Sequence, residues 1–351
     1  MSATNPIIDA QPLGFRWPAI DPFLFCVHHD DTYPQGNAAL GPDASLAGRD
    51  IGQDFAGKDG WRMYHGASVP GFPAHPHRGF ETVTIVREGL IDHSDSLGAA
   101  ARFGGGDVQW LTAGRGIVHS EMFPLLQRDR SNRLELFQIW LNLPASHKMV
   151  APHFTMFWSE KIPHHVFASG NGAHTTVSCI AGALCDAPGA VPLAPPPDSW
   201  ASQPQADVAI WTIRMDPGAR WTLPRAAGNG TRRNLYFFEG ARLVVAGQEV
   251  DQHAALELHC DQDLELVNGP ASTQLLVLQG HPIAQPVAQY GPFVMNTQAE
   301  IHQAFADYQR TRFGGWPWPD EAPTHGPVPR RFASQADDSK EELQIQSPTQ
   351  E

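Results

Sequence analysis

The chain is poor in positive charge: 24 Lys+Arg stand against 37 Asp+Glu, for a net charge of −13, and no basic run occurs anywhere. A surface of that sign repels a nucleic-acid backbone, so direct binding to DNA or RNA is not expected. Cysteine is scarce as well. Cys26, Cys179, Cys185 and Cys260 are scattered and never form a CxxC, which removes both a disulfide framework and a zinc ribbon. Together with an N-terminus that has no signal-like character, this gives the expectation of free thiols in a reducing cytoplasm. No apolar run reaches the roughly 18 residues of a membrane-spanning helix, so no membrane partner is expected.

Uninterrupted stretches are also lacking. With 31 prolines and 32 glycines in 351 residues and 42% hydrophobic content, turns must be frequent and long helices few. An all-β architecture fits, and the length suggests two domains.

Against that background one pattern stands out. His75 and His77 form a His-x-His pair, and 42 residues after the second of them His119 and Glu121 form a His-x-Glu pair. Side chains alternate between the two faces of a strand, so residues i and i+2 point the same way. Each pair can therefore aim two donors in one direction. Phe80-Glu81-Thr82-Val83-Thr84-Ile85-Val86 is rich in β-branched and aromatic residues and ends at Glu88-Gly89, the pattern of strand and turn. Gly104-Gly105-Gly106-Asp107 marks another turn, and Asp107-Val108-Gln109-Trp110-Leu111 leads through Gly114-Arg115-Gly116 to Ile117-Val118-His119. Side by side in a small barrel, these strands bring three imidazoles and one carboxylate together as a mononuclear metal site. Such donors suit iron, nickel, copper, manganese or zinc. A lone histidine is more often an ordinary core or surface residue; two matched pairs on strands form a different pattern.

Along the chain, residues 1–60 look like an irregular lead-in packed on a first barrel at 61–180. Leu134-Glu135-Leu136-Phe137-Gln138-Ile139-Trp140-Leu141 is apolar on both faces and is expected as a central strand there. Residues 181–206, with Leu193-Ala194-Pro195-Pro196-Pro197, form a Pro/Ala-rich connection, and a second barrel follows at 207–315. Glu88-Gly89 and Glu239-Gly240 suggest a weak repeat with an offset of 151, which carries His75 and His77 onto Ala226 and Gly228. The second barrel is thus expected to lack ligands, and His253 and His259, six residues apart, are not read as metal ligands. Thr297-Gln298-Ala299-Glu300 is a capping box preceding Ile301, Ala304, Phe305 and Tyr308 at helical spacing. Residues 316–351 form a polar, charged tail with Asp337-Asp338 and Glu341-Glu342, expected to be disordered.

The run from His75 to Thr84, HPHRGFETVT, with Gly106 to Glu121, GDVQWLTAGRGIVHSE, closely resembles the pirin family of the cupin superfamily. The resemblance continues through Leu141-Asn142-Leu143-Pro144, Lys148-Met149 and Tyr290-Gly291-Pro292-Phe293-Val294-Met295-Asn296-Thr297. It implies a bicupin, two stacked antiparallel β-barrels of jelly-roll type with a C-terminal helix, and one metal ion, usually iron, in the N-terminal barrel. The implied ligands are His75, His77, His119 and Glu121. Other cupins take a carboxylate from the position of Glu81, leaving Glu81 as an alternative to Glu121. Activity on quercetin-type flavonols as a 2,3-dioxygenase is implied, with Glu121 as catalytic base and Phe80, Trp110, Phe123 or Phe137 as aromatic walls. The family's other implied role is a metal- and redox-sensing regulator of transcription factors or metabolic enzymes, acting through the surface near Arg78 and Arg115. The lead-in, the Pro-rich connection and the acidic tail depart from the common family pattern.

Overall fold

The computed structural model describes residues 5–184, 191–335 and 339–343. The chain divides into two compact units, each assembled from separate stretches. The first comprises His28–Gln138, Ala145–Met156 and Pro286–Glu351; the second comprises Met1–Val27, Ile139–Pro144 and Phe157–Gln285.

In the first unit, a six-stranded sheet runs in the order Lys340–Leu343, Arg331–Ser334, Ala100–Gly104, Leu90–Asp95, Ile117–Met122, Gly71–His77. The strand Phe80–Glu88 lies between Val108–Thr112 and Asn132–Asn142 in another sheet. The β-branched residues of Phe80–Glu88 are buried on both faces, as the sequence pattern requires. Gly89 ends this strand with φ 80, and a Cβ there would lie 2.7 Å from the carbonyl oxygen of Arg133, so glycine is needed on both counts. Asn132–Asn142 takes the expected inner place, flanked by Phe80–Glu88 and Phe23–Tyr33.

The second unit holds a seven-stranded sheet, Ile7–Pro12, Ala254–Leu258, Arg232–Glu239, Thr273–Gly280, Ala209–Met215, His174–Ala181, His164–Ala168. A four-stranded sheet accompanies it, Arg220–Leu223, Leu264–Asn268, Leu243–Val245, Gln248–Val250. Their shared core includes Trp211, Trp221, Leu235, Phe237, Leu256, Leu266 and Val277.

The helix Gln298–Thr311 begins at the expected capping box: Thr297 accepts from the Glu300 N–H, and the Glu300 carboxylate accepts from the Thr297 N–H. Ile301 and Ala304 are buried with Phe293 and Met295. No helix among the described residues is long and apolar enough to cross a membrane.

Two expectations are corrected. The lead-in is not irregular throughout: Ile7–Pro12 pairs with Ala254–Leu258 in the second unit, and Phe23–Tyr33 is an eleven-residue strand. The tail is not uniformly unstructured either. Arg331–Ser334 adds antiparallel to Ala100–Gly104, with Phe332 and Arg331 buried and an Arg331 Nη1 to Asp107 Oδ1 distance of 2.7 Å. One apolar ring and one partnered guanidinium outweigh the local charge density that argued for disorder. Asp337-Asp338 of the tail and Cys185 lie outside the described residues; Cys26, Cys179 and Cys260 are free thiols.

Candidate metal centre

Gly71–His77 is an edge strand, which is why it tolerates Pro73 and Pro76, residues that cannot donate to a ladder. It pairs antiparallel with Ile117–Met122, placing His75 opposite His119, His77 opposite Ile117 and, beyond an irregularity, Phe72 opposite Glu121. Residues opposite one another share a face, so the two predicted pairs project together. The ligand nitrogens of His75, His77 and His119 all lie within 4.8 Å of one another. Their ring centroids are 4.4 Å (His75–His119), 4.8 Å (His75–His77) and 4.9 Å (His77–His119) apart.

Burial pushes His75 down to about 4 and holds His77 and His119 well below the usual imidazole range. At neutral pH all three are uncharged, the state in which an imidazole nitrogen can bind a metal. His75 Nδ1 donates to the Pro73 carbonyl at 2.9 Å, which leaves its Nε2 lone pair free, and His77 Nδ1 is 3.4 Å from the Pro292 carbonyl. Backbone carbonyls of this kind orient metal-binding histidines in general. His119 is fully buried, yet neither ring nitrogen has a hydrogen-bond partner. An orphaned buried imidazole is costly, and a metal ion shared with its two neighbours removes that cost; the residues fit the group.

Glu121 is not within that trio. Its Oε2 lies 4.0 Å from His119 Nε2 and accepts a 2.7 Å hydrogen bond from Gln138, while Thr84 approaches Oε1 at 3.4 Å. Burial raises the pKa of this carboxyl. Glu81 faces away: Thr84 reaches Glu121, so Glu81, three positions earlier on a regular strand, points to the opposite side. There it accepts a 2.7 Å hydrogen bond from Thr112.

Two residues missed in the sequence complete the inward face. In the strand Leu90–Asp95, His93 lies opposite Glu121 and Asp95 opposite His119. His93 is fully buried, its ring 5.5 Å from His119 and stacked 5.1 Å from Phe154, with its Nε2 3.1 Å from Asp95 Oδ2. The signal was present: His93-Ser94-Asp95 has the same i,i+2 spacing as the ligand pairs.

Among the expected aromatic walls, Phe80 lies 5.0 Å from the His77 ring, but Phe80, Trp110 and Phe137 are all fully buried, and Phe137 stacks on His28. A half-buried ring near the histidines is instead Phe72, 6.2 Å from His75, with Phe123, Tyr64, Phe55 and His65 around it. Arg78 is no surface residue: it is buried, donates to the Arg115 carbonyl and pairs with Asp307 at 2.9 Å. His253 takes a structural role: its Nε2 donates to the Gly240 carbonyl at 3.0 Å and its ring meets Phe237 edge-on at 5.1 Å.

The sequence pattern of the pirin family matches residues 17–141, and that of the pirin C-terminal cupin domain matches residues 210–314. A pirin-like protein of Caulobacter vibrioides is 38% identical over 243 residues, covering 69% of this chain and 80% of that protein. Human pirin is 33% identical over 256 residues, covering 72% and 80%. The crystal structure of quercetin 2,3-dioxygenase from Acinetobacter baumannii superposes with a TM-score of 0.64 at 27% identity, covering 88% of this chain and 96% of that one. The chain belongs to the pirin family, and its fold is the family's bicupin with a C-terminal helix.

Proposed function

We propose that this pirin is an iron-dependent dioxygenase of quercetin-type flavonols, with His75, His77, His119 and Glu121 holding the ion. The observation that carries the reading is the trio of neutral imidazoles within 4.8 Å, His77 and His119 buried and His75 half-buried, supported by likeness to a structure that bears the name quercetin 2,3-dioxygenase. When bound, iron supplies a Lewis acid that lowers the pKa of a coordinated hydroxyl, and a redox partner for dioxygen.

The chain's own residues do the rest. The neutral imidazoles offer lone pairs without first losing protons, and the backbone carbonyl of Pro73 keeps the His75 ring from turning. Gln138 holds Glu121 Oε2 by a short bond, whereas Oε1 has only the long Thr84 contact. Oε1 is therefore the atom that accepts the flavonol hydroxyl proton. Phe72, half-buried beside His75, offers an apolar face to a flat ring.

The test is quercetin consumption with oxygen uptake by the iron-reconstituted protein beside His119→Ala. Turnover that falls to background in the variant, with its bound iron lost, is expected. Full iron content in His119→Ala would overturn the ligand set, and no turnover by the iron-loaded protein would overturn the enzyme reading in favour of a metal-sensing regulator.

A further inference from the structure

The family patterns end at residue 314, yet the chain continues as an ordered segment against the sheet that carries the histidines. From its start it makes specific contacts. Trp316 Nε1 donates to the Asp320 carbonyl at 2.7 Å, closing a turn. Trp318 Nε1 donates to the backbone carbonyl of Asp95 at 2.8 Å. The Glu321 carbonyl accepts the N–H of Ala74 at 2.7 Å. His325 donates its backbone N–H to Asp92 Oδ2 at 2.8 Å, and its ring Nε2 meets the His93 carbonyl at 2.8 Å. Arg102, doubly paired with Asp92 at 2.6 and 2.7 Å, donates to the Val328 carbonyl, after which Arg331–Ser334 joins the sheet.

The positions contacted are informative. Gly71–His77 is an edge strand with a ladder partner on one side and an irregularity between Phe72 and His75. Within that irregularity the Ala74 N–H is taken up by the Glu321 carbonyl rather than by a neighbouring strand. Trp318 and His325 hold the strand bearing His93 and Asp95, which faces His119 and Glu121. One segment thus ties the strand of His75 and His77 to the strand that braces His119.

We propose that residues 316–334 form a strap that retains the metal: Trp318, His325 and the Glu321 carbonyl are positioning groups that keep the two halves of the ligand set in register. The proposal rests on His75, His77 and His119 being ligands. Groups that orient metal ligands from outside the coordination sphere typically change affinity by about 10- to 100-fold. The strap acts on backbone rather than on ligand side chains, so the lower end applies.

The experiment uses the iron(II)-loaded full chain, Trp318→Ala, His325→Ala and a chain ended after Gly315, and follows iron transfer to a colorimetric chelator. Amide exchange of Ala74, His75 and His77 is measured on the metal-free proteins. Iron release about tenfold faster, with faster exchange at those three amides, is expected. Unchanged release in folded variants overturns the proposal, as does unchanged exchange. Should the shortened chain fail to fold, the two point variants decide. His119→Ala run alongside separates the two readings: iron retained by that variant would remove the ligand set, and the metal-free exchange would still judge the strap.

Discussion

The two units use the same strand pairing for opposite ends. In the first, Gly71–His77 pairs with Ile117–Met122; in the second, Arg220–Leu223 pairs with Leu264–Asn268. Where the first presents His75, His77, His119 and Glu121, the second presents Trp221, Leu223, Leu264 and Leu266, all in its apolar core. The candidate metal centre is therefore a set of inward positions given over to donors within a scaffold that works equally well filled with hydrocarbon. The exchange has an energetic side. Burying a large apolar side chain contributes about 1.5–3 kcal/mol, whereas burying an imidazole disfavours its charged form and leaves nitrogens in need of partners. The first unit gives up apolar stabilisation at its centre, a loss that an ion held as proposed would offset.

The strongest way to break this comparison is to damage the apolar centre. Leu266→Ala should destabilise the second unit by about 2–5 kcal/mol, measured by denaturant unfolding, while iron content stays unchanged. Loss of iron in a folded Leu266→Ala protein would show that the second core does more than support itself. Next in size is removal of the metal. Because an ion that binds only the folded state stabilises it by about 2.7 kcal/mol at a concentration 100 times its Kd, chelation should lower the unfolding temperature of the first unit. Calorimetry of iron-loaded and chelated protein checks this, and a shift confined to the second unit would refute the assignment.

The smallest effect concerns how the histidine strand ends. Arg78 follows His77 directly and pairs with Asp307, whereas the second unit's strand ends at Leu223 and is followed by the Arg225 N–H bonded to Asp263. Hydrogen bonds from Arg78 and then Arg310 hold the Asp307 carboxyl down to about 2. A carboxyl lowered in the folded state stabilises above its unfolded pKa of about 3.9, and that contribution fades as pH falls through 2. Asp307→Asn should therefore cost at most about 1 kcal/mol near pH 7, since the pair is partly solvated, and less at pH 3. An equal cost at both pH values would show that charge is not what holds this strand end.

The grouping of the three histidines was legible from spacing, because strand alternation is a local rule: His75 with His77 needed only i,i+2, and the His119–Glu121 pair put His119 on the matching face. The same rule could have found His93 with Asp95, but a His-x-Asp among other polar residues carries no metal pattern until the ladder places it opposite Glu121. The repeat was legible as an idea and wrong in register. A constant offset sends His75 and His77 to Ala226 and Gly228, while the structure pairs their strand's counterpart at Arg220–Leu223, because the loops between strands differ in length.

By itself the sequence determined the all-β class, the capped helix and the trio of histidines, since each follows from short-range periodicity or chain-local hydrogen bonding. Only the tertiary structure decided which face Glu81 takes, where the lead-in strand Ile7–Pro12 finds its partner, and that the tail from Trp316 to Ser334 is strapped to the histidine sheet. Those outcomes depend on contacts between residues far apart in the chain, where local composition carries no record of which buried partner will be waiting.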